Sequence, residues 1–314
     1  MATPEVLVVT PLMDSVMQEL SQTYSLHHLY EAADHTALLS EAGAAIRGIA
    51  THGAAGANAA LMDALPNLEI TACYGVGVDA IDLEHAAARN IVVTNTPGVL
   101  NDEVANLAVG LLLASSRGIV NGDRYVREGR WLKGEMALTH GIRGKTVGIL
   151  GLGGIGKEIA RKLSVFGCEI VYHGRREQPQ QPYRYYPDLR AMAGDCEHLI
   201  VICPATDATR NIVNREVLDA LGPAGTLINV ARGSVVDEPA LVAALTESRL
   251  GAAALDVFAH EPNVPAALLD MPNVVLQPHV ASATVETRQA MGDLVIKNLA
   301  LHFAGQPVAT PVVP

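Results

Sequence analysis

The chain has 314 residues, long enough for two domains, and its 49% apolar and 18% charged content is that of a globular protein. With 22 Lys and Arg against 33 Asp and Glu, the formal net charge is −11, which disfavours nucleic acid or an anionic membrane as partner. An anionic small molecule would need a local cation to offset that field. The longest apolar stretch, 107–114, is too short to cross a bilayer, and residues 1–14 lack the basic start and apolar run of a leader. Cys73, Cys168, Cys196 and Cys203 show no C-x-x-C spacing, so we expect reduced, buried thiols in a cytoplasmic protein and no metal.

The first part of the chain alternates short extended runs with helical ones. Residues 6–10, 26–30, 47–50, 68–73 and 91–93 read as strands, and 13–20, 57–65 and 82–89 as helices. This repeating pattern predicts a parallel sheet with helices on both faces. Loops 51–55 and 74–78 follow strands, where ligands gather in open α/β sheets. Gly75 and Gly77 suit either close backbone approach to a small acid or an ordinary turn. Thr96, Pro97 and Gly98 predict a domain crossing, and Asn101 or Asp102 then caps a long helix over 103–120. That helix is apolar nearly all round and should be buried on several sides. Trp131, the only Trp, is read either as a dimer anchor or as a surface plug.

Residues 145–160 read KTVGILGLGGIGKEIA. The run 146–150 predicts a buried strand and 157–166 a helix, with Gly151, Gly153 and Gly156 between them. A G-x-G-x-x-G in that context is a dinucleotide signature: a tight turn, close approach to a pyrophosphate, and tight helix–strand packing. The second strand of such a fold, 168–172, normally ends near an acid that holds the ribose hydroxyls. Here it runs into His173, Gly174, Arg175 and Arg176. Two guanidinium groups suit a 2′-phosphate, so NADPH is favoured over NADH; the other reading is a solvated basic loop.

Further strands are expected at 198–203, 225–229, 252–256 and 274–276, helices at 214–221 and 238–247, and a last helix from 284 to about 303 that packs back on the first domain. Three strand ends carry ionisable groups, around Arg232, Glu261 and His279. Reducing a 2-oxo acid needs a cation for the carboxylate and carbonyl, a proton donor, and a carboxylate that orients the donor. Arg232, His279 and Glu261 suit these roles in turn. Each also has a structural reading: a core ion pair, a backbone-bonded histidine and a turn cap.

The segments YGVGVDAID, NTPGVLNDEVANLAVGLLLA, GILGLGGIG, NVARGSVVDEPAL, GAAALDVFAHEP and VVLQPHVASAT resemble the D-isomer-specific 2-hydroxyacid dehydrogenase family, in particular its glyoxylate/hydroxypyruvate and hydroxyphenylpyruvate reductase branch. The resemblance implies two doubly wound parallel-sheet domains with a cleft between them. One is a flavodoxin-like substrate domain at 1–98 with 285–314, and the other a Rossmann-like cofactor domain at 99–284. It implies a catalytic trio of Arg232, Glu261 and His279, with Val76 and Gly77 holding the substrate carboxylate. The cofactor contacts it implies are Gly151, Gly153, Gly154, Ile155, Gly156, Arg175, Arg176, Pro204, Thr209, Val230, Ala231, Arg232, Asp256, His279 and Ala281. It implies NADP with NAD possible, a homodimer, and reduction of a small 2-oxo acid to the D-2-hydroxy acid. An NAD-dependent sugar-acid or phosphoglycerate dehydrogenase and a non-catalytic, dinucleotide-sensing corepressor stay open at this point.

Overall fold

The computed structural model describes residues 3–312. They divide into two compact units, one taking in the chain up to Leu100 and again from Ser282, the other Asn101–Ala281.

The first unit runs through β1 (Glu5–Val8), α1 (Asp14–Thr23), β2 (Ser25–His28), α2 (His35–Ala42), β3 (Ile46–His52), α3 (Ala59–Asp63), β4 (Ile70–Tyr74), α4 (Leu83–Ala88) and β5 (Val92–Thr94). The strands form one sheet in the order β2-β1-β3-β4-β5, every pair parallel. Parallel strands covered on both faces need continuous apolar runs, and β4 (ITACY) is buried at every position. Helix starts follow short polar side chains. Asp34, Asn58 and Asp82 each accept from amides two or three residues on, at the heads of α2, α3 and α4. Helix α2 was not predicted; its sequence shows only Leu38 and Leu39 as an apolar pair, and the Asp34 cap was its one signal.

The second unit begins with α5 (Asn101–Ser116) and α6 (Ile119–Arg127). The single helix expected over 103–120 is thus two, because Gly118 adopts φ 58° and the axes bend by 57°. The expected cap is also corrected. Asn101 is the first helical residue, and Asp102 instead takes Lys162 Nζ at 2.7 Å. Burial of α5 on several sides holds, with Val104, Ala105, Ala108, Val109, Leu111 and Leu112 all inside. No helix among the described residues is long and apolar enough to cross a membrane by itself.

Next come β6 (Thr146–Leu150), α7 (Gly154–Val165), β7 (Glu169–His173), β8 (Arg184–Tyr185), α8 (Leu189–Gly194), β9 (His198–Val201), α9 (Arg215–Leu221), β10 (Thr226–Asn229), α10 (Glu238–Thr246), β11 (Ala252–Leu255), α11 (Ala266–Leu269) and β12 (Val274–Leu276). Their sheet has the order β12-β11-β10-β9-β6-β7-β8, again wholly parallel. The strand order reverses between β6 and β9, which is where a doubly wound sheet opens a crevice for a ligand. The core beneath is aliphatic, built on Leu199, Val201, Leu218, Leu227, Leu241 and Leu255.

The last helix, α12 (Val285–Phe303), is capped by Thr284 and returns to the first unit. Met291, Val295 and Leu299 on α12 are buried, as are Val16 and Leu20 on α1. Each such side chain contributes roughly 1.5–3 kcal/mol relative to exposure. Asn298, also buried, accepts from the amides of Ala309 and Thr310 and donates to the Thr310 hydroxyl at 2.8 Å.

All four cysteines are buried. Burial pushes the Cys196 thiol up to about 12 and Cys203 up to about 11. Thiolate is the reactive form, so iodoacetamide at about pH 8 should leave both unlabelled in the native protein and label them after denaturation. Rapid labelling of either by peptide mass mapping would contradict this burial.

Candidate active site

Strand β6 ends at Leu150, and the chain turns at Gly151 with φ 104°, where a Cβ would lie 2.7 Å from the Cys203 amide nitrogen. Helix α7 packs down on that turn so closely that a Cβ on Gly156 would meet the Gly151 carbonyl. Gly153 is the N-cap of α7 and supplies no side-chain hydrogen bond, and a Cβ there would meet nothing within 4 Å. Helix α7 therefore starts from a glycine with open space beside it, and a helix N-terminus suits an anionic phosphate. Gln178 braces the turn by donating to the Leu152 carbonyl at 2.9 Å.

At the end of β7, His173 contacts the Tyr186 carbonyl at 2.8 Å, and its own carbonyl accepts from the Gly151 amide at 2.9 Å. Arg175 and Arg176 follow, both exposed, and neither forms an ion pair among the described residues. No acid stands at the end of β7. The donor set thus fits a dinucleotide whose ribose carries a phosphate better than one with bare hydroxyls.

Because every strand is parallel, the loops after β6, β7, β9, β10, β11 and β12 leave the same edge of the sheet. After β9, the Thr209 hydroxyl donates to the Pro204 carbonyl at 2.7 Å and accepts from the Thr206 amide at 2.8 Å. After β10, the buried Asn229 side chain accepts from the Ala231 amide and donates to the Arg232 carbonyl, both at 3.0 Å. Val230 and Ala231 are buried, and the Arg232 guanidinium bonds the Ala231 carbonyl at 2.8 Å.

After β11, Glu261 Oε1 accepts from the Phe258 amide at 3.0 Å, and Oε2 lies 2.7 Å from His279 Nδ1. Both side chains keep a face to solvent, at 35% exposure for His279 and 31% for Glu261. With Nδ1 engaged by the carboxylate, Nε2 is the nitrogen left for proton transfer. His279 sits at φ 55°, an unusual conformation for a residue with a Cβ. Asp256 over-determines it. The Asp256 carbonyl accepts from the His279 amide at 2.8 Å, and its two carboxylate oxygens accept from Val280 and Ala281 at 2.8 and 3.0 Å. Burial lifts the Asp256 carboxyl above the usual aspartate range, and the two amides only partly offset it.

Two features of this edge were not read from the sequence. Glu238, buried at 8% exposure on α10, accepts from the Ala259 amide at 3.0 Å and so holds the loop that carries Glu261. An acid in the first turn of a helix reads from sequence merely as a favourable charge. Gly233, beside Arg232, lies against the Phe258–Ala259 peptide, where a Cβ would come within 1.9 Å of the Phe258 carbonyl carbon.

In the first unit, Val76 and Gly77 follow β4 directly. The Val76 carbonyl accepts from Asn95 Nδ2 at 2.9 Å, the Gly75 carbonyl accepts from the Thr96 amide at 2.9 Å, and the Cys73 thiol reaches the Gly77 carbonyl at 3.4 Å. All three contacts use carbonyls, so the loop is fixed through its oxygens.

The Gly233 contact can be tested directly. Gly233→Ala should force the loops after β10 and β11 apart, lower stability by at least the roughly 1–3 kcal/mol typical of overpacking, and misalign Arg232 with Glu261. Thermal unfolding would check the first effect; an unchanged midpoint would show that the loops can yield.

Comparison with known proteins places this geometry. Residues 109–281 match the model of the D-isomer specific 2-hydroxyacid dehydrogenase NAD-binding domain. The chain is 48% identical over 308 residues to glyoxylate/hydroxypyruvate reductase A HPR2 of Arabidopsis thaliana, covering 98% of each. It is 47% identical to hydroxyphenylpyruvate reductase of Plectranthus scutellarioides, again over 98% of each. Among solved structures it is similar to the NADPH-dependent glyoxylate/hydroxypyruvate reductase of Sinorhizobium meliloti in complex with NADP and malonate. That match has a TM-score of 0.94 and 47% identity, and covers 99% of this chain and 97% of that one. With both sheets, the glycine turn and the Arg, Glu and His groups accounted for, the chain belongs to the family of D-isomer specific 2-hydroxyacid dehydrogenases.

Proposed function

We propose that this enzyme is an NADPH-preferring reductase that converts a small 2-oxo acid of the glyoxylate or hydroxypyruvate type into the D-2-hydroxy acid. The observation that carries the reading is the 2.7 Å contact between His279 Nδ1 and Glu261 Oε2, one strand-end loop away from Arg232. Glu261 fixes the ring, and His279 Nε2 gives its proton to the carbonyl oxygen as negative charge develops there. Arg232 binds the carboxylate and polarises the carbonyl, and in the first unit Val76 and Gly77 offer amides of the kind that hold a carboxylate.

NADPH would supply the hydride when bound. The residues that would hold it are Gly151, Gly153, Gly154, Ile155 and Gly156 at its pyrophosphate, Arg175 and Arg176 at the 2′-phosphate, and Pro204, Thr209, Val230, Ala231, Arg232, Asp256, His279 and Ala281 along its length. Two relatives bear the names of glyoxylate/hydroxypyruvate reductases and a third that of a hydroxyphenylpyruvate reductase, which supports a 2-oxo acid substrate. The intact Arg, Glu and His favour turnover over a purely sensing role.

The arm around α6 exposes Trp131 at 67%, Leu132 at 93% and Leu138 at 99%, an apolar surface suited to a second copy of the chain. We assign it to a homodimer. Four reduced, buried thiols suit a cytoplasmic setting.

His279→Ala should lower kcat with hydroxypyruvate by about 10²–10⁴-fold, the usual span for a lost general acid. A near-native rate in steady-state assays would remove His279 from the mechanism. Replacing Arg175 and Arg176 together with Gln should raise KM for NADPH much more than for NADH. Equal losses with the two cofactors would remove the 2′-phosphate assignment.

A further inference from the structure

Arg175 and Arg176 are exposed and lie on the loop from β7 to β8, which has no helix or strand of its own. A guanidinium on a free loop gives up its mobility each time it grips a phosphate, and that loss weakens binding. Register matters as well. Glu177 follows the two arginines directly, so a loop able to slip would bring a carboxylate to an anion as readily as a guanidinium.

This loop is pinned at both ends of the arginine segment. Tyr172 of β7 pairs in register with Tyr185 of the edge strand β8, and their ring centres lie 5.3 Å apart at an interplanar angle of 47°. On the near side of the arginines, the Tyr185 hydroxyl donates to the Gly174 carbonyl at 3.2 Å. On the far side, the Tyr172 hydroxyl accepts from the Gln178 amide at 2.7 Å. Tyr172 is 1% exposed, so the core sets its position and the loop conforms to it.

The Gln178 side chain makes a third attachment, from Nε2 to the Leu152 carbonyl at 2.9 Å, within the glycine turn. Pro179, next in sequence, disfavours helical backbone at Gln178. Gln178 thus reaches β7 through its main chain and the Gly151–Gly156 turn through its side chain. It fixes the span between the turn assigned to the pyrophosphate and the arginines assigned to the 2′-phosphate.

We propose that Gln178, with Tyr172 and Tyr185, positions the cofactor-selecting arginines: the clamp holds Arg175 and Arg176 in register with the glycine turn, and discrimination for NADPH over NADH depends on it as well as on the two charges. This rests on the NADPH reading and deepens it. A ligand without a 2′-phosphate offers these arginines nothing to grip, so loosening the clamp should weaken it little.

Calorimetry on the cofactor-free enzyme with adenosine 2′,5′-bisphosphate and with 5′-AMP reads this without turnover. The native enzyme should bind the bisphosphate more tightly. In Gln178→Ala the ratio of the two affinities should fall by about 2- to 10-fold, the worth of one net hydrogen bond. Tyr185→Phe, which removes only the hydroxyl that holds Gly174, should lower the ratio in the same direction. A ratio unchanged in either variant, including equal weakening of both ligands, overturns the clamp; the NADPH reading then stands if Arg175→Gln with Arg176→Gln still removes the preference. A native enzyme that binds the two ligands equally removes the NADPH reading and the clamp with it.

Discussion

The placement of Arg232 and Glu261 depends on how closely two loop backbones approach. Gly233 lies directly on the Phe258–Ala259 peptide, with no room for a side chain between them. That contact fixes the spacing between the loop that carries Arg232 and the loop that carries Glu261. Three further bonds pin the second loop: Phe258 to Glu261, Ala259 to Glu238, and Glu261 to His279. Glu261 is thus held by main chain on one side and itself holds the His279 ring on the other. Precise placement of charge before substrate arrives is the largest lever an active site has.

His279 pays part of the cost of this arrangement. A left-handed backbone at a residue with a Cβ is disfavoured by about 1–3 kcal/mol and persists only where neighbours over-determine it. Asp256 does so with three acceptors, one main-chain and two carboxylate oxygens. The same burial that makes these bonds strong raises the carboxyl above its ordinary range, so the residue is under electrostatic load as well. An aspartate that family resemblance marks only as a cofactor neighbour therefore also sets the backbone of His279.

Much of this was legible in the sequence, because doubly wound proteins write their sites at strand ends. The run from Thr146 to Gly156 gives strand, turn and helix in consecutive residues, and the segments around Arg232, Glu261 and His279 each follow an apolar run. What stayed hidden depends on contacts distant in sequence or on one dihedral angle. Gly118 lies at the end of an apolar stretch that reads as continuous helix, and only its positive φ divides α5 from α6. Glu238 looks like a solvated acid until Ala259, 21 residues later, is brought against it. Arg288 lies inside a helix and reads as surface charge; its place beside a cavity follows from α12 returning to β4.

That return also shapes how the molecule can be made. The unit holding β1 to β5 is split, its last helix separated from the rest by the whole of Asn101–Ala281. During vectorial synthesis the early sheet leaves the ribosome with Val16 and Leu20 on α1 still lacking Met291 and Val295. Closing so long a loop as an open coil would carry a large entropic cost, which collapse of the intervening unit lessens by drawing its two ends together. The first hundred residues can bury Leu7, Ile49 and Met62 among themselves, but the part of their core that includes Met291 and Val295 is completed only when the last helix has emerged.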